Sequence, residues 1–187
     1  MRAVWRCSAA ILASLSVVSR AQGEKWVNRT IDDQLGDEAT GRLVTYTPPG
    51  VWSQGNGCGY CALKPDNHSA LDGTWHDGFH DPNRDVEPLA FEFKFNGTAV
   101  YIFNILVKQA LTNVNITLDG QLVNTYAHTP DLTNQFAYNA SVFSKENIPY
   151  GEHTVGVSAF GPNQTNVLFD YAIYTCVFQL LLIGSRS

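Results

Sequence analysis

The sequence predicts an all-β protein, built as an antiparallel β-sandwich. From residue 89 onward, apolar and polar residues alternate with a period of two, which is typical of half-buried strands. Short apolar segments recur about every ten residues and are separated by Gly, Pro, Asn and Asp, as in sandwich folds. The chain also lacks the apolar stripe of an amphipathic helix over any stretch of about 12 residues.

The individual strands follow from this period. The segment FEFKF at residues 91–95 alternates Phe with charged residues and predicts a strand with one buried face. Residues 98–107 are apolar on both faces, which predicts a central strand covered on each side. Asn96-Gly97 between them predicts a two-residue hairpin, and Asp119-Gly120 predicts a second one after a strand at 114–118. Further strand candidates are residues 121–126, 136–143, 153–160 and 167–175.

The chain divides into a leader, one domain and a short tail. Residues 1–22 have the pattern of a signal peptide: Arg2 and Arg6 precede an apolar run that is too short to span a bilayer. Residues 23–176 predict a single β-sandwich domain, in which the polar stretch 25–42 wraps an edge. Residues 177–187 form an apolar tail, either an extension of the last strand or the stub of an interrupted chain.

Six Asn-x-Ser/Thr sequons follow the leader, more than the composition would give by chance. A sequon matters only in a chain that enters the secretory pathway, and the leader predicts this entry. We therefore expect a secreted, extracellular glycoprotein. The predicted glycosylation sites are Asn28, Asn67, Asn96, Asn115, Asn139 and Asn163.

The charge of the chain argues against nucleic-acid partners. Of the 12 Lys and Arg, three lie in the leader, whereas all 17 Asp and Glu follow it, which leaves a net charge near −8. Such a surface repels phosphate backbones and anionic lipid. We therefore expect no nucleic-acid partner, and the sequence contains no segment that predicts a membrane span.

Cys58 and Cys61 form a C-x-x-C pair in a Gly-rich segment. In an oxidising compartment this spacing favours a structural disulfide, although redox chemistry, a metal site or a link to Cys176 is compatible with the pattern. A loop this short adds about 2 kcal/mol at most. We expect Cys176 to remain unpaired.

Several motifs resemble a known family. They are WSQGNGCGYCALKPD at 52–66, ALDGTWHD at 70–77, FNGTAVYIF at 95–103, ITLDG at 116–120, YGEHTV at 150–155 and FDYAIY at 169–174. Together they resemble secreted or membrane-anchored proteins of mushroom-forming fungi whose ectodomain is a galactose-binding-like jelly roll. The resemblance implies this fold, but it implies no ligand residues. Many members continue into a polar stalk and a transmembrane helix, whereas this sequence ends at Ser187.

Residues 76–81, HDGFHD, are the strongest candidates for metal chemistry. Gly78 and Pro82 argue against a helix, so we expect a loop. Asp77 and Asp81 could bind Ca²⁺ there through carboxylate oxygens, and the resemblance also implies a structural Ca²⁺. A polar surface loop is the alternative. We expect no other cofactor to be required.

Aromatic residues surround this segment and suggest a carbohydrate site. Aromatic faces stack on the C–H faces of sugars, while polar side chains bind the hydroxyls. The alternative is that these rings belong to the core. The candidate ligand-binding residues are Trp52, Tyr60, Trp75, His76 and His80, with Phe79 nearby.

The catalytic signatures of common hydrolases and NTPases are absent from the sequence. Asp170 lies in the middle of a strand candidate, where a carboxylate needs solvent or a donor such as His153 or a backbone N–H. We therefore predict no catalytic residue. The predicted function is a non-enzymatic module that binds carbohydrate or a cell-wall partner. A purely structural ectodomain, or a metal-dependent hydrolase that uses residues 76–81, is the alternative.

Overall fold

The protein is an antiparallel β-sandwich, as predicted. We describe it from a computed structural model, which covers residues 25–85, 87–131 and 135–178. The strands in these residues are β1 Lys25–Asp32, β2 Gly36–Asp37, β3 Thr45–Thr47, β4 Ser53–Gln54, β5 His76–His80, β6 Ala90–Gly97, β7 Ala99–Val107, β8 Thr112–Leu118, β9 Gln121–His128, β10 Phe136–Lys145, β11 Gly151–Ala159 and β12 Thr165–Phe178. Short 3₁₀ helices occur at Gly55–Gly57, Asn67–Ser69 and Leu71–Gly73.

The first sheet is built around β12, its longest strand. Its order is β10-β7-β12-β1-β2, and all these pairs are antiparallel. β1 pairs with the later residues of β12. On the same edge of β12, its first residues pair with β5, which in turn pairs with β4. The second sheet has the order β3-β6-β11-β8-β9.

The main core lies between the two sheets. The alternation at 91–95 buries the three Phe side chains and leaves Glu92 and Lys94 exposed, which confirms the predicted strand. From the first sheet, Ile31, Ile102 and Ala172 point into the same core. This burial of apolar area is the main stabilising contribution to the sandwich.

One predicted hairpin is confirmed and the other is wrong. Asp119 and Gly120 have φ angles of 52° and 77° and join the paired strands β8 and β9, as a two-residue hairpin requires. Asn96-Gly97 instead joins β6 to β7, which belong to different sheets. Gly97 is needed there for close approach, because an added Cβ would lie 2.3 Å from the Thr175 carbonyl oxygen.

Three other expectations about strands need correction or completion. The polar stretch 25–42 does not only wrap an edge, since β1 pairs along its whole length with β12. Residues 76–80 are a strand and not a loop. β12 continues through Phe178, so the start of the predicted tail extends the last strand, whereas the leader and residues 179–187 lie outside the described residues.

The face of the first sheet that points away from the second sheet has two halves. Over one half, Ile105, Val107 and Leu168 form a second apolar cluster with Trp75. Residues 55–75, here called the covering segment, lie over this cluster and add Leu63 and Ala70 to it. The other half, here called the open half, carries Trp26, Asn28 and Thr30 of β1, Tyr101 and Phe103 of β7, and Tyr171, Ile173 and Thr175 of β12.

Candidate functional site

Trp75, a predicted ligand residue, is part of the core. Its side chain is 2% exposed and fills the second cluster between the covering segment and the sheet. Gly55 allows this packing, because a Cβ at residue 55 would lie 1.9 Å from Trp75 Nε1. Trp75 is therefore not accessible to a ligand in this structure.

Trp52 and His76 lie on the other side of β5. The Trp52 indole donates a hydrogen bond to the Thr47 carbonyl at 2.9 Å and packs over Gly78, where a Cβ would lie 2.8 Å from the indole ring. His76 stacks on Tyr46 with ring centroids 3.9 Å apart, and its Nδ1 lies 2.7 Å from Asp33 Oδ2. These contacts account for both side chains as parts of the packing.

The two candidate histidines bind different carboxylates. His80 is buried, and its Nδ1 lies 2.8 Å from Asp85 Oδ2, whereas His76 pairs with Asp33. A metal-dependent or acid–base site would need these side chains to converge on one point. Their partners hold them apart instead.

Asp77 and Asp81, the two acids predicted to bind Ca²⁺, lie in different local environments. Burial raises the pKa of Asp77 to about 6, and the nearby Lys64 partly opposes this shift. Asp81 accepts hydrogen bonds from the backbone N–H of Asn83 and from the Gln164 amide, which lower its pKa. Within residues 25–85, 87–131 and 135–178, no group of three or more His, Cys, Asp or Glu side chains is arranged to hold a metal ion.

Carboxylates near the covering segment form a separate acidic cluster, which the sequence did not reveal. Asp33 Oδ1 accepts a 2.5 Å hydrogen bond from the Thr74 hydroxyl. Asp170 is 0% exposed, and its Oδ1 accepts from the backbone N–H of Leu71 at 3.0 Å, one of the donors expected from sequence. One carboxylate oxygen of Asp32 and one of Asp170 are buried without a hydrogen-bond partner. Burial, and secondarily the neighbouring acids, raise the pKa of Asp170 to about 7.

Tyr60 is the one fully exposed ring among the five predicted ligand residues, whereas Trp52 and His76 are half-buried. It is 86% exposed beside the Cys58–Cys61 disulfide, whose formation confirms the predicted pairing, and Cys176 is free as expected. The Tyr60 hydroxyl lies 3.1 Å from Ser53 Oγ. A single exposed ring does not form a site, so the predicted ligand residues do not come together on one surface.

A shallow depression of about 650 Å³ lies at the end of the open half. Trp26 borders it with 49% of its surface exposed, and Tyr101 borders it from the neighbouring part of the sheet. The rings of Tyr150 and Trp26 pack in a T-shaped arrangement, with centroids 6.4 Å apart and an interplanar angle of 75°. The other residues that line the depression are Thr98, Ala99, Glu146, Asn147, Ile148, Pro149 and Thr175.

The polar groups of this depression are partly preorganised. The Tyr101 hydroxyl donates a 2.6 Å hydrogen bond to Glu146 Oε1, which raises the pKa of Tyr101. Thr175 Oγ1 donates a 2.9 Å bond to Asn28 Oδ1. An apolar wall with a few fixed polar groups is the usual composition of a small-ligand site.

Sequence reasoning missed this depression for two reasons. Trp26 lies in a stretch that we expected to wrap an edge, and Tyr101 lies in a segment that we expected to be covered on both faces. The alternation of Trp26, Asn28 and Thr30 is a signal that could have placed these side chains together on one face of a strand.

The predicted glycosylation sites are compatible with the fold. Asn28, Asn67, Asn96, Asn139 and Asn163 are exposed, and Asn115 is half-buried on β8. The Asn115 side-chain oxygen accepts a hydrogen bond from the Thr125 hydroxyl at 3.0 Å. None of the helices in the described residues is long and apolar enough to cross a membrane.

The chain has weak similarity to several solved structures. It is similar to a Podospora anserina GH26-CBM35 β-(1,4)-mannanase, with 9% identity over 86% of this chain and 30% of that chain, at a TM-score of 0.48. A family 35 carbohydrate-binding module from Clostridium thermocellum has 9% identity over 80% of this chain and 97% of that chain, also at 0.48. The Agl-KA catalytic domain has 9% identity over 87% of this chain and 29% of that chain, at 0.45.

This chain therefore spans about a third of the length of two of these three structures. No protein-family model and no curated protein matches the sequence. The TM-scores are below 0.5, so the similarities assign neither a ligand nor a site residue to this chain.

Proposed function

We propose that the chain is a secreted, N-glycosylated β-sandwich module that binds carbohydrate in the depression beside Trp26. The observation that carries this proposal is the exposure of Trp26 at the border of a lined depression. A ligand that covers the exposed apolar area of this ring gains favourable free energy from its removal from water.

The chemistry of the depression suits a sugar. A pyranose ring has an apolar C–H face and a rim of hydroxyl groups. Trp26 and Tyr101 supply aromatic surface, while Thr98, Asn147 and Glu146 supply donors and acceptors around it. The volume of about 650 Å³ lies within the range of small-ligand sites and accommodates a short saccharide.

The lining favours binding over hydrolysis. Among the residues that border the depression, Glu146 is the single carboxylate, and it already accepts a hydrogen bond from Tyr101. Glycoside hydrolysis usually needs a pair of carboxylates on opposite sides of the scissile bond. We therefore assign Glu146 to ligand hydroxyls and not to catalysis.

A structural ectodomain without a sugar site is the second candidate. It is favoured by the burial of Trp75 and by the packing of Trp52 against the core, because an ectodomain without a sugar site is expected to bury both rings. The two functions differ in what they require of Trp26: the first requires it for binding, and the second does not.

The test is carbohydrate binding on a glycan array, measured for the wild type and for the variants Trp26→Ala and Tyr60→Ala. Each protein is measured both with and without its N-linked glycans. Both variants remove an exposed ring, so both should fold. We expect Trp26→Ala to weaken carbohydrate binding at least about tenfold, which corresponds to about 1.4 kcal/mol. Tyr60→Ala should retain binding. Equal losses in both variants, or no binding at millimolar saccharide, would reject the depression as a site.

A further inference from the structure

Asn28 and Trp26 share the outward face of β1. Side chains two residues apart on a strand point to the same side, about 7 Å apart. Thr175 links the two residues, since it is paired with Asn28 across the sheet and also lines the depression bordered by Trp26. A group attached to Asn28 therefore starts at the rim of this depression.

The side chain of Asn28 is oriented by Thr175. The Thr175 hydroxyl donates to Asn28 Oδ1 at 2.9 Å, and this bond does not engage Nδ2, the atom that carries an N-linked glycan. In glycosylation, Nδ2 forms a bond to C1 of the first sugar of a lipid-diphosphate-linked oligosaccharide. The bond from C1 to the diphosphate breaks, the lipid diphosphate leaves, and an Nδ2 proton passes to a base of the transferase.

We propose that Asn28 carries an N-linked glycan whose first sugar packs on the Trp26 indole. The edge-on contact of Tyr150 with Trp26 holds the indole, and the 49% exposure leaves ring surface for the apolar C–H face of the sugar. The glycan then competes with external carbohydrate for the depression, a consequence that rests on the proposed function.

The position of Asn28 distinguishes it from the other sequons. Asn67 lies in the covering segment and Asn163 lies in the loop before β12, so neither borders the depression. Asn139 lies near the open half, where its Oδ1 accepts from the Tyr171 hydroxyl at 3.3 Å, but Tyr171 does not line the depression. Asn96 on β6 and Asn115 on β8 belong to the second sheet. Asn28 does not line the depression itself, but it is paired with Thr175, which does. Asn28 is the sequon next to the exposed indole.

Thr30→Ala and Thr30→Ser provide a matched test. Both change the same side chain, but the Ser variant keeps the sequon and the Ala variant removes it, and Asn28 with its bond to Thr175 is unchanged in both. The full chain is secreted from a eukaryotic host, the occupancy of Asn28 is read by peptide mass, and the melting temperature is measured.

We expect Asn28 to be occupied in the wild type and in Thr30→Ser. Thr30→Ala should melt about 3 °C lower than Thr30→Ser, and this difference should vanish when both variants also carry Trp26→Ala. Trimming the glycan to its first sugar should leave the melting temperature unchanged. Asn163→Gln, a control that removes a distant sequon, should not depend on Trp26.

An unoccupied Asn28, or a difference that persists in the Trp26→Ala background, would overturn the proposal. Saccharide binding by the two Thr30 variants distinguishes a failure of this proposal from a failure of the proposed carbohydrate-binding function. If Thr30→Ala binds at least tenfold more tightly than Thr30→Ser, both proposals are supported. If neither form binds but the melting temperatures are coupled through Trp26, the glycan contact stands and the carbohydrate-binding function is rejected.

Discussion

The covered and open halves of the first sheet place similar side chains in opposite environments. In the covered half, Trp75, the last residue of the covering segment, is 2% exposed between this segment and the sheet, whereas in the open half Trp26 is 49% exposed. Both tryptophans lie over the outward face of the same sheet. The difference shows that the residues 55–75 decide which aromatic rings become core and which remain available to a ligand.

The covered half is fixed by polar contacts as well as by apolar packing. The carboxylates of Asp33 and Asp170 accept hydrogen bonds from Thr74 and from the backbone of Leu71, and the Tyr138 hydroxyl accepts from the backbone N–H of Asp66. The open half has no such cover in the described residues. Changes in the covered half should therefore alter stability, and changes at Trp26 should alter binding.

The largest expected effect is that of Trp75→Ala. Loss of this buried ring leaves a cavity under the covering segment, so the free energy of unfolding should fall by about 3–5 kcal/mol. Trp26→Ala, the matched change in the open half, should cost less than about 1 kcal/mol. Urea denaturation of both variants measures the contrast, and similar losses would contradict the division into two halves.

The pH dependence of stability should report the link between Asp170 and the covering segment. The pKa of Asp170 is about 7 in the folded chain, above its value near 4 in the unfolded chain. The folded state therefore holds this proton more tightly, so stability is greatest below pH 4 as far as Asp170 is concerned and falls until pH passes 7. We expect a loss of about 2–4 kcal/mol for this group.

Asp170→Asn is the variant that isolates this effect. Burial also raises the pKa of Asp77, to about 6, and the pKa of Asp32, so we assign to Asp170 the part of the fall between pH 6 and pH 7 that disappears in the variant. The measurement is the melting temperature of the wild type and of Asp170→Asn across this pH range, in buffer that contains a chelator.

Added Ca²⁺ tests the sequence-based prediction of a bound cation. Stabilisation of the wild type but not of Asp170→Asn would place the cation at Asp170 and not at Asp77 or Asp81.

The strands could be predicted from sequence because their signals are local. The alternation at 91–95 and the Asp119-Gly120 turn depend on neighbouring residues, and so does the Cys58–Cys61 pairing. Asn96-Gly97 carries the same turn signal, but Gly97 is there to approach the Thr175 carbonyl. That contact joins residues far apart in sequence, which a local pattern does not contain.

The site could not be predicted for the same reason. The aromatic-rich segment 52–81 suggested a ligand surface, but Trp75 is buried by the sheet on which the segment lies. Trp26 and Tyr101 come together through pairings of β1 and β7 with β12. Exposure of a ring depends on these long-range contacts, so the sequence pattern could not indicate that Trp75 is buried and that Trp26 is exposed.

Gly55→Ala should disturb the covered half without removing any group. A Cβ at this position would lie 1.9 Å from Trp75 Nε1, so the indole or the covering segment must shift. We expect a loss of about 1–3 kcal/mol from this overpacking. Gly57→Ala is the control, because no heavy atom lies within 4 Å of its added Cβ. Equal stability of the two variants would show that the contact with Trp75 does not matter.

Removal of a single tyrosine hydroxyl should have the smallest effect. Tyr138→Phe deletes the acceptor of a 2.6 Å hydrogen bond from the backbone N–H of Asp66, but that N–H lies near solvent and finds water, so we expect a loss of about 0.5–1 kcal/mol. Tyr171→Phe is the counterpart in the open half. Its hydroxyl donates to the exposed Asn139 at 3.3 Å, and its removal should cost less than about 0.5 kcal/mol.

Hydrogen exchange sharpens the comparison, because Tyr138→Phe should speed exchange in residues 63–75 while Tyr171→Phe leaves those amides unchanged. Faster exchange of these amides in Tyr171→Phe would mean that the open half also supports the covering segment.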